Sequence, residues 1–129
     1  MELGAGKVVN SRNPEELKAV AGYFDLLIST VNIKLDWGAY LGTLRAKGRL
    51  HFVGATLEPI AVGGFQLIGR QRSLSGSPVG SPATIARMLE FAARHGIQPV
   101  TEIFRFDQAN EALDRLRSGR ARYRIVLSW

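Results

Sequence analysis

Few side chains in this sequence offer chemistry: two histidines, His51 and His95, and a run of hydroxyls from Ser73 to Ser81 that reads S-L-S-G-S-P-V-G-S. There is no cysteine, which removes disulfides, thiolate nucleophiles and thiolate metal sites. A zinc ion would therefore have to lean on carboxylates beside the two histidines. His51 sits between Leu50 and Phe52 in an apolar run, where a structural role suits it better than a catalytic one. His95, just before Gly96, reads as a charge partner for a helix C-terminus. No nucleophile–base pair and no carboxylate dyad stands out. The serine run is different, because its composition switches part-way. Leu74 alternates with serines as in a strand, Gly76, Pro78 and Gly80 make a turn, and Ser81 with Pro82 supplies a helix N-cap and first position. A strand, a small-residue turn and a helix N-terminus are the geometry in which α/β folds hold ligands. The same residues also suffice for a plain strand-to-helix connection.

The flanking sequence supplies the elements that would position such a turn. Lys7–Asn10 is expected to form a short strand. Asn13, Pro14 and Glu16 then predict a helix with an N-cap, a first-turn proline and a carboxylate reaching back to the cap, stopped by Gly22. Residues 24–31, F-D-L-L-I-S-T-V, are apolar enough for a strand covered on both faces. Asp36 caps a helix bearing Trp37, Tyr40, Leu41 and Leu44, Gly48 ends the connection, and residues 49–55, R-L-H-F-V-G-A, predict a second buried strand. Phe65, Leu67 and Ile68 suggest a short helix weakened by Gly63 and Gly64. Arg72–Gly76 follows as a strand. Ile85, Met88, Leu89 and Ala92 then mark an amphipathic helix ending at Gly96. Residues 99–106 predict a strand, Asp107 caps a helix carrying Ala112, Leu113 and Leu116, and residues 122–127 close on another strand. Strand and helix alternate throughout, which implies an α/β fold with a parallel or mixed sheet and right-handed crossovers.

Composition sets outer bounds. The 129 residues, 46% hydrophobic, are enough for a globular core. No apolar run approaches the roughly 20 residues of a membrane span, and the opening M-E-L-G-A-G-K lacks a basic-then-apolar export pattern. A cytoplasmic protein is expected. The net charge is +6, with much of the excess late, at Arg115, Arg117, Arg120, Arg122 and Arg124. Those arginines read as a nucleic-acid patch or as a solvated helix end. With Tyr123 the one aromatic among them, nothing resembles a stacking surface, and the helix end is the better reading.

Four motifs in order carry a resemblance. They are F-D-L-L-I-S-T-V; K-G-R-L-H-F-V-G-A; S-L-S-G-S-P-V-G-S with M-L-E-F-A-A-R-H-G-I; and N-E-A-L-D-R-L-R-S-G-R-A-R-Y-R-I-V-L. From about Leu3 to Leu127 the chain resembles the C-terminal part of the zinc-dependent alcohol dehydrogenases. The likeness is to the cinnamyl-alcohol-dehydrogenase-like branch of the medium-chain dehydrogenase/reductase superfamily. It implies an incomplete Rossmann-type parallel sheet with flanking helices, plus a C-terminal strand–helix–strand return segment. The implied division places part of a nucleotide-binding domain in residues 1–96 and a return into the catalytic domain in residues 97–129.

The resemblance also implies a site. In such enzymes the ends of three strands line the nicotinamide side of the cofactor. By position these are Ser29, Thr30 and Val31; Val53, Gly54 and Ala55; and Ser77, Pro78 and Val79. NADP is the implied cofactor, on a partial or weak site, because the family's G-x-G-x-x-G phosphate turn does not occur here. G-A-G-K at residues 4–7 lacks its spacing. Zinc is expected of the family but not of this chain, which has neither the catalytic ligand set nor the four-cysteine structural site. The parent reaction would be hydride transfer between NADP(H) and an alcohol or aldehyde, with no catalytic residue assigned here. In a Rossmann sheet Phe24–Val31 would be the fourth strand, whose partner, the first strand, is missing here along with the second, and Arg72–Gly76 the sixth. Lys7–Asn10, as the third, would have to move beside Phe24–Val31 or fray. Open edges at both ends imply a homo-oligomer, or a non-enzymatic module that self-associates or docks on a partner.

Overall fold

The computed structural model describes residues 4–129; Met1–Leu3, with which the resemblance begins, lie outside the described residues. Two compact units divide between Val79 and Gly80.

The first unit runs α1 (Pro14–Lys18), β1 (Phe24–Ser29), α2 (Trp37–Thr43), β2 (Leu44–Phe52), α3 (Gly64–Ile68) and β3 (Ser73–Gly76). Local chemistry starts its helices. Asn13 Oδ1 accepts from the Glu15 backbone N–H at 3.1 Å, and Asp36 Oδ1 accepts from Ala39 N–H at 3.1 Å. The Glu16 carboxylate does not close a capping box on the Asn13 backbone. It accepts instead from Asn10 N–H at 2.8 Å and from the Asn13 side-chain amide at 3.2 Å, because the turn at residues 10–13 brings Asn10 closer. Gly22, with φ 67°, lies beyond the helix, which ends at Lys18.

The three strands are parallel in the order β1-β2-β3. Leu27, Leu50 and Leu74 stand in one cross-strand row, and Ile28, His51 and Ser75 in the next. Successive residues face opposite sides of a sheet. The Leu27 side meets Trp37, Leu41 and Leu44, with Phe24, Phe52 and Leu67 packed around them. Trp37 meets Phe52 edge-on, ring centroids 4.9 Å apart. On the other side Leu26 and Ile28 are 51% and 59% exposed. The expected coverage of both faces is therefore corrected: the apolar run of β1 reflects one packed face and one open one.

Several elements also differ from expectation. β1 stops at Ser29, leaving Thr30 and Val31 in the following loop. β2 begins directly at Leu44 instead of after Gly48. Phe24 pairs with Leu44 and Leu26 with Arg49, so residues 45–48 loop out, with Lys47 at φ 64°. Lys7–Asn10 is not a strand and pairs with neither edge of the sheet. Pairing needs a neighbour that local sequence cannot supply. Arg72 braces the start of β2 against β3, its guanidinium donating to the carbonyls of Leu44 and Gly42. Burial, then repulsion from Arg70, holds its pKa below the ordinary arginine value.

The second unit holds α4 (Pro82–Arg94), β4 (Thr101–Arg105), a 3-10 turn (Phe106–Gln108), α5 (Ala109–Arg117) and β5 (Arg124–Ser128). Ser81 Oγ accepts from Thr84 N–H at 3.2 Å, so α4 starts as its cap and proline predict. β4 and β5 are parallel, joined through α5 as the strand–helix–strand return. Asp107 does not cap α5. Its carboxylate is held by Arg105 at 2.8 and 3.1 Å, the 3-10 turn intervenes, and Gln108 becomes the N-cap residue. Glu102 ties the unit together: it accepts from Arg115 at 2.9 and 3.2 Å and from Arg122 N–H at 2.6 Å. Elsewhere in the late arginine run, Arg117 pairs with Asp114. The fold is thus α/β, a three-strand parallel sheet of Rossmann type with flanking helices and a return segment.

Candidate strand-end site

All nine residues singled out by the resemblance fall in the first unit. They sit where three neighbouring parallel strands end on the same side. Ser29 closes β1 and Thr30 and Val31 follow it; Val53, Gly54 and Ala55 follow β2; Ser77, Pro78 and Val79 follow β3. The ends are laced together beyond the sheet itself. Ser29 C=O accepts from both Val53 N–H, at 2.9 Å, and Gly54 N–H, at 3.1 Å, while Phe52 C=O accepts from Ser77 N–H at 3.1 Å. Gly54 is required for this closure. A Cβ there would stand 2.5 Å from the Thr30 carbonyl carbon and 2.6 Å from the Val31 oxygen. Gly76 is less tight, with Phe52 O 3.3 Å from where its Cβ would be.

The resulting rim is mostly exposed, Val53 at 50% and Val79 at 89%. Ser29 is the exception. It is buried, and its Oγ has no hydrogen-bond partner within the protein. A buried hydroxyl left unpaired costs about 1–3 kcal/mol, so this atom is a ready acceptor or donor for a bound group. Ser29 lines a cavity of about 160 Å³ together with Leu27, Val31, Leu35, Trp37 and Tyr40. Leu35, Trp37 and Tyr40 were not among the residues singled out from sequence. Trp37 and Tyr40 read in the sequence as part of the apolar spacing of the helix capped by Asp36, and Leu35 lies just before that cap; a helix that passes under strand ends also lines what lies there.

His51 bears on the same rim. Its Nδ1 lies 2.9 Å from Ser75 Oγ and its Nε2 lies 2.9 Å from Ser77 Oγ. Both ring nitrogens are occupied, in keeping with the structural reading of this histidine. His95 caps the C-terminus of α4 and meets Phe91 at a tilt, ring centroids 4.2 Å apart. The two histidines belong to different units. Among the described residues no group of three or more His, Asp or Glu could hold a metal ion. The donors among the described residues do not fit zinc.

A parallel sheet of β1-β2-β3 order, with glycine-closed strand ends beside an apolar cavity, defines the class: an α/β fold of Rossmann type. Residues 1–94 match the zinc-binding dehydrogenase family, and the chain belongs to it. It is 57% identical over 128 residues to the aldehyde reductase AdhA of Synechocystis sp., covering 99% of this chain and 38% of that protein. A cinnamyl alcohol dehydrogenase of Sorghum bicolor superposes with a TM-score of 0.91 at 32% identity, covering 98% of this chain and 36% of that one. CAD of Helicobacter pylori, solved in complex with NADP(H), gives a TM-score of 0.73 at 27% identity over 86% of this chain and 33% of its own. The chain therefore spans 33–38% of the length of these relatives.

Among the described residues, no helix is long and apolar enough to cross a membrane.

Proposed function

We propose that this chain is the cofactor-binding C-terminal portion of an NADP(H)-dependent alcohol or aldehyde oxidoreductase. Residues 1–96 act as part of the nucleotide-binding domain and residues 97–129 as the return into the catalytic domain. Ser29, Thr30, Val31, Val53, Gly54, Ala55, Ser77, Pro78 and Val79 hold the nicotinamide end of NADP. The observation that carries this reading is the buried, unpartnered Ser29 Oγ beside a cavity at three converging strand ends. A cavity of about 160 Å³ suits one ring of a cofactor, well below the roughly 300 Å³ or more of a complete small-molecule pocket. When bound, NADP(H) supplies or accepts the hydride. The chain's own residues bind and orient it: Ser29 and Ser77 offer hydroxyls, and Gly54 keeps the strand ends close. Without zinc ligands or a catalytic acid, the 129-residue chain alone is inactive. The lack of cysteine suits a cytoplasmic setting.

Affinity for the isolated chain is low. The phosphate turn would add charge-assisted contacts of about 1.5–3 kcal/mol each, and losing two of them weakens binding roughly a hundredfold or more. Titration calorimetry with NADPH at moderate salt is expected to give saturable binding weaker than micromolar. Sub-micromolar affinity would mean that the phosphates have a site of their own here.

A second reading, self-association, is favoured by one observation. β1 and β3 each have an edge that no strand pairs with among the described residues, and Leu26 and Ile28 are exposed on β1. Light scattering behind size-exclusion chromatography is expected to show a dimer or larger species at high concentration. A mass of 14.2 kDa at every dilution contradicts it.

A further inference from the structure

We propose that His51 is a positioning residue for the strand-end site, holding the Ser77 hydroxyl in one orientation toward bound cofactor. The proposal rests on the cofactor reading above and deepens it.

The register puts His51 directly opposite Ser75 on β3. Their side chains share the open face of the sheet, away from the core formed by Leu27, Leu50 and Leu74. The cross-strand bond at Nδ1, 2.9 Å to Ser75 Oγ, therefore fixes the ring about its χ angles. Two residues further along the same face comes Ser77, the first residue past the strand, and Nε2 reaches its Oγ at 2.9 Å. Ser77 is thus held twice: its N–H by Phe52 C=O at 3.1 Å, its hydroxyl by the imidazole. A serine hydroxyl on an exposed rim otherwise turns among three staggered rotamers.

The bond has a further consequence. Neutral imidazole offers one donor and one acceptor. Where Ser75 accepts from Nδ1–H, Ser77 must donate to Nε2, which leaves its oxygen lone pairs facing outward to accept. In the other tautomer Nε2–H donates, and the Ser77 proton is free to be given to a ligand. The tautomer of His51 thereby sets what Ser77 presents at the rim, and the ring couples it to Ser75, two residues inside the strand. A ligand amide carries both an N–H₂ and a C=O, so the orientation it takes follows from this pair.

The test is a fluorescence titration of NADPH against the full chain, run with thermal unfolding of each variant. Ser77→Ala and His51→Phe are each expected to weaken binding about tenfold, equivalent to about 1.4 kcal/mol. The double variant should be no weaker than either, because both remove one oriented hydroxyl. Ser75→Ala keeps the ring but frees Nδ1, and is expected to weaken binding about threefold. His51→Gln, which retains an amide donor and acceptor, should recover part of the loss. Unchanged affinity in His51→Phe, or multiplication of the two single effects in the double variant, overturns the proposal while the cofactor reading stands. If His51→Phe fails to fold, unchanged affinity in Ser75→Ala overturns it equally. Absence of saturable binding to the parent chain overturns the cofactor reading and this proposal together.

Discussion

The two units of this chain are held together by opposite means. The first closes around fully buried leucines, Leu41, Leu44 and Leu50, with Trp37 among them, and buries Val20 as well. In the second, Ala112 is the one buried hydrophobic residue among those described, and Ile103, Leu113, Leu116 and the α4 residues Met88, Leu89 and Phe91 are all substantially exposed. There a charged clamp, Glu102 with Arg115 and the Arg122 backbone, joins strand, helix and returning strand. The lesson is that the candidate site rests on the unit with a core. Strand ends keep a fixed spacing only when something rigid lies beneath them, and Trp37 and Tyr40, from the helix under β1, line the cavity beside Ser29.

The contrast is broken most forcefully by Leu41→Ala. Removing a fully buried leucine costs about 2–5 kcal/mol, whereas Leu116→Ala, at a site 54% exposed, should stay near about 0.5 kcal/mol. Urea unfolding followed by circular dichroism reports both units, and the fluorescence of Trp37 in a Trp129→Phe background reports the first. Comparable losses from the two substitutions would mean that the second unit has a core of its own.

A smaller effect sharpens the comparison from the other side. Hydrogen bonds from Arg115, then from the Arg122 backbone, hold the Glu102 carboxyl below its ordinary pKa. A lowered folded-state pKa stabilises above the unfolded value, and that contribution is lost as pH falls through the depressed one. The second unit should therefore loosen at acid pH before the first, and Glu102→Gln should abolish that part of the pH dependence. Circular dichroism beside Trp37 fluorescence across an acid titration separates the two. Coincident loss of both units in the parent chain, unchanged in the variant, removes the clamp from the account.

What the sequence disclosed, and what it withheld, follows the range of the interaction. Caps are local, so Asn13, Asp36 and Ser81 were legible from one or two neighbours each. The strand-end residues were placed by order of motifs, and the parallel register then brought them side by side. Coverage of β1 was not legible, since Leu26 and Leu27 look alike in sequence and only packing separates the exposed one from the core one. Lys7–Asn10 has strand composition but lacks a neighbour to pair with. Asp107 has good capping chemistry, yet Arg105, two residues away, takes its carboxylate first. The link from His51 to Ser75 and Ser77 spans two strands, and only the register reveals it; alternation within R-L-H-F set beside S-L-S-G-S would have hinted at a shared face.

The central claim, that three strand ends hold the nicotinamide end of NADP, is tested most directly by a ¹H–¹⁵N NMR titration of the labelled chain with NADPH. The account predicts progressive, saturable shifts concentrated at residues 29–31, 53–55 and 77–79, with residues 101–128 little changed. Shifts centred on β4, α5 and β5, or none at millimolar NADPH, would contradict it.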